Sequence, residues 1–425
     1  MDLPRRASLA RSRRRGLAAV AVVTATTLVA AVLATPAASA PGPELAPGGV
    51  GEIRGAEAPT AVPGTFVVVL KDSAVGGPAG TRQSAVSTLA ADVTSRFGIR
   101  PDRVWGDALN GFSVRTSEAV ARRIATHPAV AYVEADQTVQ LATTQPNAPW
   151  NLDRLDAPTG LDSTYSYQSQ GSGIPVYVID SGIHITHQEF GGQAYYGYDA
   201  IDGTLPAEDC TGHGTHVAAN IGGTTYGVAK NVALVAVKVV GDCTGIPSTL
   251  AMVINGINWV AADHQPWDPP AVANIALLTG MSSAVNTAVA NLVVDGVTVT
   301  VAAGNSNANA CNFPPASVPT ALTVGATQSN DARASFSNYG TCLDLFAPGV
   351  NIMSAVHLSN TATMPLSGTS QASAHVAGMA ARVLSNNPTW TPAQVAGYLI
   401  GVANPVVINP GTGSPNRLLH MSPLL

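Results

Sequence analysis

The part of the chain after residue 150 alternates short apolar segments with segments of helical periodicity, and this alternation restricts the folds that the chain can adopt. Apolar stretches of strand length lie at 176–180, 232–240, 272–277, 297–302 and 321–324. Helical patterns lie at 213–223, 248–262, 282–294 and 370–386. Apolar strands that alternate with helices form a mostly parallel sheet with helices on both faces. We therefore predict an α/β fold that binds its ligand at the carboxyl ends of the strands.

A smaller alternation precedes this region. Strands are predicted at 65–70, 111–115 and 130–134, and helices at 83–97 and 118–126. A β-α-β-α-β run of about 75 residues indicates a small α+β domain. The segments on either side of it, 41–62 and 137–150, contain several prolines and are interpreted as linkers.

The first 40 residues have the three parts of a secretory signal peptide. Six arginines before residue 16 are followed by an apolar stretch from Leu17 to Ala34, and Ala38-Ser39-Ala40 suits cleavage. A transmembrane anchor is the alternative, because about 18 apolar residues lie near the lower limit for spanning a bilayer. The Ala/Thr-rich composition and the adjoining cleavage site favour export, and Arg13-Arg14 is compatible with the twin-arginine route. We expect a secreted protein that keeps no membrane segment after cleavage.

Charge and cysteine content restrict the partners and the compartment. Residues 142–425 carry 6 basic and 15 acidic side chains, which argues against a nucleic-acid partner. All four cysteines lie in the same region, and export to an oxidising compartment favours disulfides. Four cysteines allow three pairings, and their spacing does not choose among them. The cysteines are Cys210, Cys243, Cys311 and Cys342.

Three motifs supply an acid, a histidine and a serine. Asp180 ends an apolar strand, His213 opens a helix, and Ser370 begins a helix after a glycine turn. A serine hydroxyl becomes an effective nucleophile when an imidazole takes its proton and a carboxylate fixes the tautomer of that imidazole. Taken singly, Ser370 could be a helix N-cap and Asp180 a turn residue. Their order and context favour catalysis.

Other histidines and the motif of an alternative hydrolase class offer alternatives to this interpretation. His213 and His216 have the spacing of a metal-binding pair, but no acidic partner follows as in H-E-x-x-H, so we do not expect a metal there. The segment Gly368-Thr-Ser370-Gln-Ala372 lacks the second glycine of a nucleophile elbow, which disfavours a lipase. The remaining histidines of note are interpreted as structural or surface residues: His184, His187 and His375.

These motifs resemble those of the subtilisin-like serine peptidases, specifically the proteinase K branch and its secreted bacterial members. The resemblance covers about residues 142–420 and includes three further motifs. They are Thr225-Tyr-Gly-Val-Ala-Lys230, Ser335-Phe-Ser-Asn-Tyr339 and Leu343-Asp-Leu-Phe-Ala-Pro-Gly349. Residues 63–141 are similar to the inhibitory propeptide of the family, most clearly at Ala108-Leu-Asn-Gly-Phe112.

The resemblance assigns catalytic roles. It implies that Asp180 orients the imidazole, that His213 is the general base and then the acid, and that Ser370 is the nucleophile. Val301-Ala-Ala-Gly-Asn305 matches the oxyanion segment, so the Asn305 amide and the backbone N–H of Ser370 are expected to bind the tetrahedral intermediate. No cofactor is expected for catalysis.

The resemblance also implies structural features. It implies the disulfides Cys210–Cys243 and Cys311–Cys342. Relatives bind calcium in the segment that contains three acids of this chain, although Ala157 replaces one usual ligand. A solvated acidic turn is the alternative. The candidate calcium ligands are Asp153, Asp156 and Asp162.

The sequence departs from the family pattern near the expected substrate cleft. Gln371 replaces a Met and Ala374 replaces a Pro. Leu278 replaces a Gly, and this larger side chain should make the main specificity pocket narrower. Pro247 stands in a substrate-pairing segment and lacks an N–H. We expect altered specificity, with a catalytically impaired peptide-binding protein and an ester hydrolase as alternatives. The expected substrate contacts are Gly245, Leu277, Leu278, Ala303 and Gly304.

The predicted organisation is a signal peptide (1–40), a linker (41–62), a ferredoxin-like α+β inhibitory propeptide (63–141) and a subtilisin-like peptidase domain (142–425) with no further domain after it. The expected function is that of a secreted serine endopeptidase made as a self-processed precursor, and a monomer. Its partners would be protein or peptide substrates and its own propeptide, as inhibitor and folding aid. The tail Val139-Gln-Leu141 is expected to lie in the cleft like a product, with cleavage near Leu141–Ala142.

Overall fold

The computed structural model describes residues 51–58, 61–77, 82–139, 143–241, 245–264 and 270–421. The predicted signal peptide at 1–40 lies outside the described residues. Among those that are described, no helix has both the length and the apolar character needed to cross a membrane.

The strands and helices alternate along the chain. The strands are β1 (Ile53–Arg54), β2 (Ala61–Leu70), β3 (Pro101–Trp105), β4 (Gly111–Arg115), β5 (Val130–Gln137), β6 (Thr143–Pro146), β7 (Thr164–Tyr167), β8 (Pro175–Asp180), β9 (Ala194–Asp199), β10 (Ala233–Lys238), β11 (Val272–Ile275), β12 (Thr298–Ala302), β13 (Leu322–Thr327), β14 (Leu345–Pro348), β15 (Ile352–Ala355) and β16 (Thr363–Leu366). The α-helices are α1 (Asp72–Val75), α2 (Arg82–Ser95), α3 (Glu118–Ala125), α4 (Trp150–Asp156), α5 (His213–Gly222), α6 (Leu250–Asp263), α7 (Ser283–Val294), α8 (Thr369–Asn386) and α9 (Pro392–Val402).

The N-terminal part folds as a five-stranded sheet in the order β1-β5-β2-β4-β3. Alternate residues of β2, such as Phe66 and Val68, are buried against apolar residues of α2 and α3. Strand β3 was not predicted. The interpretation of 41–62 as a linker is wrong at Ile53, because β1 pairs with β5 and this side chain joins the core.

The larger part is built on a seven-stranded parallel sheet in the order β14-β13-β12-β11-β8-β10-β9. Val176 and Val178 of the central strand β8 pack with α5 and α8 on one face. Tyr177 and Ile179 pack with α6 and α7 on the other face. Because successive side chains of a strand point to opposite faces, this apolar strand is buried on both sides. The predicted α/β class is confirmed.

The sequence pattern missed several shorter elements. Strands β9 and β14 extend the sheet at its two edges, and α9 begins at a capping box in which Thr391 and Gln394 each bond the backbone of the other. The predicted linker at 137–150 is wrong over Thr143–Pro146, since this segment pairs as β6 with β7. A polar strand at the surface lacks the apolar run that made the central strands visible.

Two of the cysteines pair as the resemblance implied. Cys311 and Cys342 form a disulfide with a Cα–Cα distance of 5.4 Å. Cys210 is also disulfide-bonded. Its implied partner, Cys243, lies outside the described residues.

Candidate active site

The carboxyl edge of the parallel sheet brings the predicted residues into one region. Asp180 is the last residue of β8 and is fully buried. His213 is the first residue of α5, and Gly212 before it has φ +85°, a left-handed conformation. A Cβ on Gly212 would approach His357 Nδ1 to 2.8 Å, so both the turn and the space require glycine here.

The imidazole of His213 is bound to the carboxylate of Asp180. His213 Nδ1 lies 2.7 Å from Asp180 Oδ1, and we assign the donated proton to Nδ1 because the carboxylate only accepts. This tautomer leaves Nε2 of the neutral ring as a proton acceptor. Burial lowers the pKa of His213, but the charge of Asp180, its hydrogen bond and the charge of Asp209 together raise the pKa above its ordinary value.

Ser370 occupies the first turn of α8 and is 7% exposed. Its hydroxyl donates to the carbonyl of Ala276 at 3.0 Å. Among the hydrogen bonds of the described residues, none joins Ser370 to His213. A hydroxyl can rotate, and catalytic hydrogen bonds are often formed only when substrate is bound.

The side-chain amide of Asn305 is held in one orientation by Thr369. Asn305 Oδ1 accepts from the backbone N–H and from the hydroxyl of Thr369, both at 2.9 Å. The Nδ2 group is therefore the end of the amide that remains to donate elsewhere. The Thr369 hydroxyl oxygen also accepts from Gly304 N at 3.0 Å, which ties the Asn305 loop to the start of α8.

Asn338 shapes the loop that carries Asn305. Its side chain is fully buried; Nδ2 donates to Ala303 O at 2.8 Å, and Oδ1 accepts from Ser306 N and Ala308 N, each at 3.0 Å. The sequence reasoning missed both Thr369 and Asn338. Thr369 precedes Ser370 in its motif, and Asn338 lies within the motif Ser335 to Tyr339, but neither position marked a contact.

One cavity of about 350 Å³ joins the predicted catalytic residues. Its wall includes Asp180, His213, Asn305 and Ser370 together with Leu277 and Leu278. A carboxylate, an imidazole, a hydroxyl and an amide on one cavity can perform acyl transfer.

Three predicted substrate contacts are not part of this wall: Gly245, Ala303 and Gly304. The side chain of Ala303 is fully buried and its N–H donates to Val324 O. The N–H of Gly304 is used by Thr369, and its carbonyl accepts from Asn338 N. The backbone at 303 and 304 therefore stabilises the loop.

Leu278 lies over the loop that holds Asn305. A Cβ on Gly304 would come within 2.7 Å of Leu278 Cδ1, which shows how closely the leucine covers this backbone. Leu278 remains 38% exposed, so it forms part of the accessible wall.

Comparisons with known proteins identify the family. Residues 171–418 match the model of the subtilase family. This chain belongs to the subtilase family. As a member it is a subtilisin-like serine peptidase, and residues 65–142 match the model of the peptidase inhibitor I9 family.

The relatives of this subtilase support the same assignment. It is 48% identical over 386 residues to the extracellular serine proteinase of Thermus sp. (strain Rt41A), covering 87% of this chain and 92% of that protein. It is 44% identical to the alkaline serine exoprotease A of Vibrio alginolyticus over 331 residues, which cover 76% of this chain and 61% of that protein. The crystal structure of a cold adapted subtilisin-like serine proteinase aligns with a TM-score of 0.62 and 47% identity, over 64% of this chain and 98% of that one.

Four other histidines of the subtilase are held by hydrogen bonds. Burial lowers the pKa of His216 and of His375 to about 4, so both are neutral at pH 7. His216 Nε2 bonds the carbonyl of Ile352 at 3.0 Å. His375, His184 and His187 contact Asn151, Glu208 and the carbonyl of Ala362, respectively. The structural interpretation of His184, His187 and His375 agrees with these contacts.

The three acids predicted to bind calcium form a hydrogen-bonded turn. Asp153 accepts from the backbone of Asp162 and Ser163, and Asp162 and Asp156 accept from the backbone of Thr164 and Ser166. Within the described residues, no group of three or more His, Cys, Asp or Glu side chains could hold a metal ion. The arrangement does not fit a three-carboxylate site, and calcium binding here stays a prediction.

Val139 is the one residue of the predicted propeptide tail that the structure describes. Val139 is 94% exposed, and the described residues that line the cavity all come from the peptidase region. Val139 itself does not line the cavity, and the expectation that the tail binds in the cleft stays a prediction. Gln140, Leu141 and Ala142, which include the expected cleavage point, lie outside the described residues.

Proposed function

We propose that this subtilase is a secreted serine endopeptidase that hydrolyses peptide bonds through an acyl-enzyme on Ser370. The observation that carries the proposal is the 2.7 Å contact between His213 Nδ1 and Asp180 Oδ1 at a cavity that Ser370 and Asn305 also line. The names of the relatives, one an extracellular proteinase, support both the chemistry and the secretion.

The first half of the reaction forms the acyl-enzyme. His213 Nε2 takes the proton of Ser370 as the hydroxyl oxygen bonds to the substrate carbonyl carbon. Asp180 stays ionised and stabilises the imidazolium. The negative oxygen of the tetrahedral intermediate accepts from Asn305 Nδ2 and from the Ser370 N–H, which lies in the first turn of α8, where N–H groups have no intrahelical acceptor.

The second half releases the products. The imidazolium gives its proton to the leaving amine as the peptide C–N bond breaks, which leaves the acyl ester on Ser370. His213 then takes a proton from water, whose oxygen attacks the ester, and returns that proton to Ser370 Oγ as the carboxylic acid leaves.

We further propose that the enzyme cuts its own precursor and acts as a monomer. The inhibitor-family match ends at residue 142, which agrees with cleavage near Leu141–Ala142. The released propeptide would act as an inhibitor and folding aid. Ser370→Ala expressed in a peptidase-free system should accumulate as uncut precursor, whereas normal processing of that variant contradicts self-cleavage.

Active-site labelling tests the chemistry directly. A fluorophosphonate should modify the processed wild-type protein at Ser370 and should not modify Ser370→Ala. The fraction of protein molecules that is labelled should equal the fraction that is active in cleaving a peptide library. Cleavage of long-chain esters without cleavage of peptides would instead indicate an ester hydrolase.

A catalytically impaired peptide-binding protein is the second candidate. Two observations favour it: the Ser370 hydroxyl is engaged by Ala276 O, and Leu278 covers the loop beside Asn305. This candidate predicts that the wild-type protein binds peptides but is not labelled at Ser370. Labelling accompanied by turnover eliminates it.

A further inference from the structure

The loop that leads to His213 carries a second buried carboxylate, that of Asp209. Asp209 is four residues before His213 in the loop that leads into α5, and only 3% of it is exposed. Its two oxygens accept six hydrogen bonds from four residues. The donors to Oδ1 are Ser181 Oγ (2.9 Å), Thr211 N (2.9 Å), Gly212 N (3.0 Å) and Thr211 Oγ1 (3.2 Å), and the donors to Oδ2 are Thr215 N (2.9 Å) and Thr215 Oγ1 (2.6 Å).

These bonds fix the first turn of α5. The residue that precedes the helix, Gly212, has no side chain to cap it. Asp209 supplies the missing acceptor, because it binds the N–H of Thr215 in the first turn and the N–H of Gly212 just outside it. A carboxylate at this end of a helix also suits the helix dipole. The position of His213 therefore depends on Asp209.

The same carboxylate is connected to the strand that carries Asp180. The residue after Asp180 is Ser181, whose N–H donates to Asp180 Oδ1 at 2.7 Å. Its hydroxyl donates to Asp209 Oδ1 and accepts from Gly214 N at 2.9 Å. Ser181 thus connects the end of β8 and the start of α5 to the carboxylate of Asp209. The two residues that form the imidazole–carboxylate contact, His213 and Asp180, are therefore both linked to Asp209.

The charge of Asp209 also acts on the imidazole. Together with Asp180, it raises the pKa of His213 against the effect of burial. Among the described residues, His216 interacts electrostatically with His213 from one turn along α5, and His357 lies against Gly212. Lys238 of β10 donates to the carbonyl of Glu208, the residue before Asp209, at 2.7 Å.

We propose that Asp209 is a positioning residue for the proposed reaction: it holds α5 and β8 so that His213 meets Asp180 and Ser370, and its charge stabilises the imidazolium formed when Ser370 is deprotonated. The proposal rests on the proposed peptidase function. Asp209 does not touch the reacting atoms and acts through His213.

The test uses the full chain, expressed and processed, with rates divided by the concentration of fluorophosphonate-labelled sites. Asp209→Asn keeps the shape of the side chain, removes its charge and replaces one accepting oxygen with an NH2 group that only donates. We expect kcat to fall roughly tenfold to a hundredfold because His213 is less well placed. Since the negative charge is gone, we expect the acidic limb of kcat/KM to move roughly 0.5–1 pH unit lower.

The matched control is Asp202→Asn. Asp202 is an exposed acid that also organises a loop, accepting from Thr204 N and Thr204 Oγ1. This variant should keep the kcat and the pH profile of the wild type. If Asp209→Asn behaves like Asp202→Asn in both measurements, the proposal is wrong. A purely structural role would lower the yield of labelled sites and leave the acidic limb in place.

A second variant covers the case in which Asp209→Asn does not fold. Ser181→Ala removes the hydroxyl link and keeps the charge of Asp209. It should lower kcat with the acidic limb unmoved, and wild-type kcat in this variant contradicts the positioning role. If the wild-type protein itself cleaves no peptide, the proposed function fails instead, and the two failures are thereby distinguished.

Discussion

Gln371 Nε2 lies 3.3 Å from His216 Nδ1, so the residue that follows Ser370 is hydrogen-bonded to the helix that begins with His213. Gln371 is 2% exposed, and His216 Nδ1 also accepts from Asn220 Nδ2 at 3.2 Å. His216 Nε2 donates to backbone carbonyls, so Nδ1 of the neutral ring is an acceptor. It satisfies the buried side-chain amide of Gln371.

We expect this amide to make the active site resistant to oxidation. The family usually has Met at this position, and a thioether beside the nucleophile is easily oxidised whereas an amide is not. The wild-type enzyme should keep its activity in mild peroxide, and Gln371→Met should lose it. Residual peptide cleavage after peroxide treatment measures the effect. Loss of wild-type activity with oxidation mapped to the cavity would contradict it.

Thr369 orients the amide of Asn305, so removal of the Thr369 hydroxyl should impair the proposed oxyanion site. Thr369→Val removes the hydroxyl that donates to Asn305 Oδ1 and accepts from Gly304 N. We expect kcat to fall roughly tenfold to a hundredfold with little change in KM, because the lost contact matters most in the transition state. Steady-state kinetics on one peptide test this. Thr369→Ser keeps the hydroxyl and should keep most of the rate.

The acidic limb of the pH profile should lie above pH 6.5. In the proposed mechanism His213 must be neutral to accept the Ser370 proton, and the charges of Asp180 and Asp209, opposed by burial, raise the pKa of His213. Activity should therefore fall as the pH drops through this raised pKa. Measurement of kcat/KM against pH on an uncharged peptide reports the value for the free enzyme. A midpoint below 6.5 would show that burial dominates.

The central parallel sheet could be predicted because its strands and helices have clear apolar periodicity, and its strand β8 ends at Asp180 as predicted. Three motifs likewise predicted Asp180, His213 and Ser370, which line one cavity, since each motif combines a reactive residue with a strand end or a helix start. Thr369 was missed because its function is a contact with a residue 64 positions away. Asp209 was overlooked although it stands four residues before His213, since an isolated acid in a loop has no distinctive pattern.

The Cys311–Cys342 disulfide should contribute measurably to stability. Its residues are 31 positions apart, and closing a loop of this size adds roughly 3–4 kcal/mol in the chain-entropy model. The double variant Cys311→Ser/Cys342→Ser should unfold at a lower temperature than the wild type. Thermal denaturation of both proteins measures the difference in Tm. An unchanged Tm would mean that the loop is held by packing alone.

Leu278 should restrict the substrate residues that the cavity accepts. Its side chain covers Gly304 and forms part of the wall beside Asn305. Leu278→Gly removes four carbons from that wall, so we expect kcat/KM for peptides with a large side chain at the scissile bond to rise roughly tenfold or more, and that for small side chains to change little. Profiling on a peptide library measures both. Met281→Ala, at a site that is 77% exposed, is the control and should keep the wild-type preference. If the wild-type enzyme already accepts large and small side chains equally, Leu278 does not narrow the cleft.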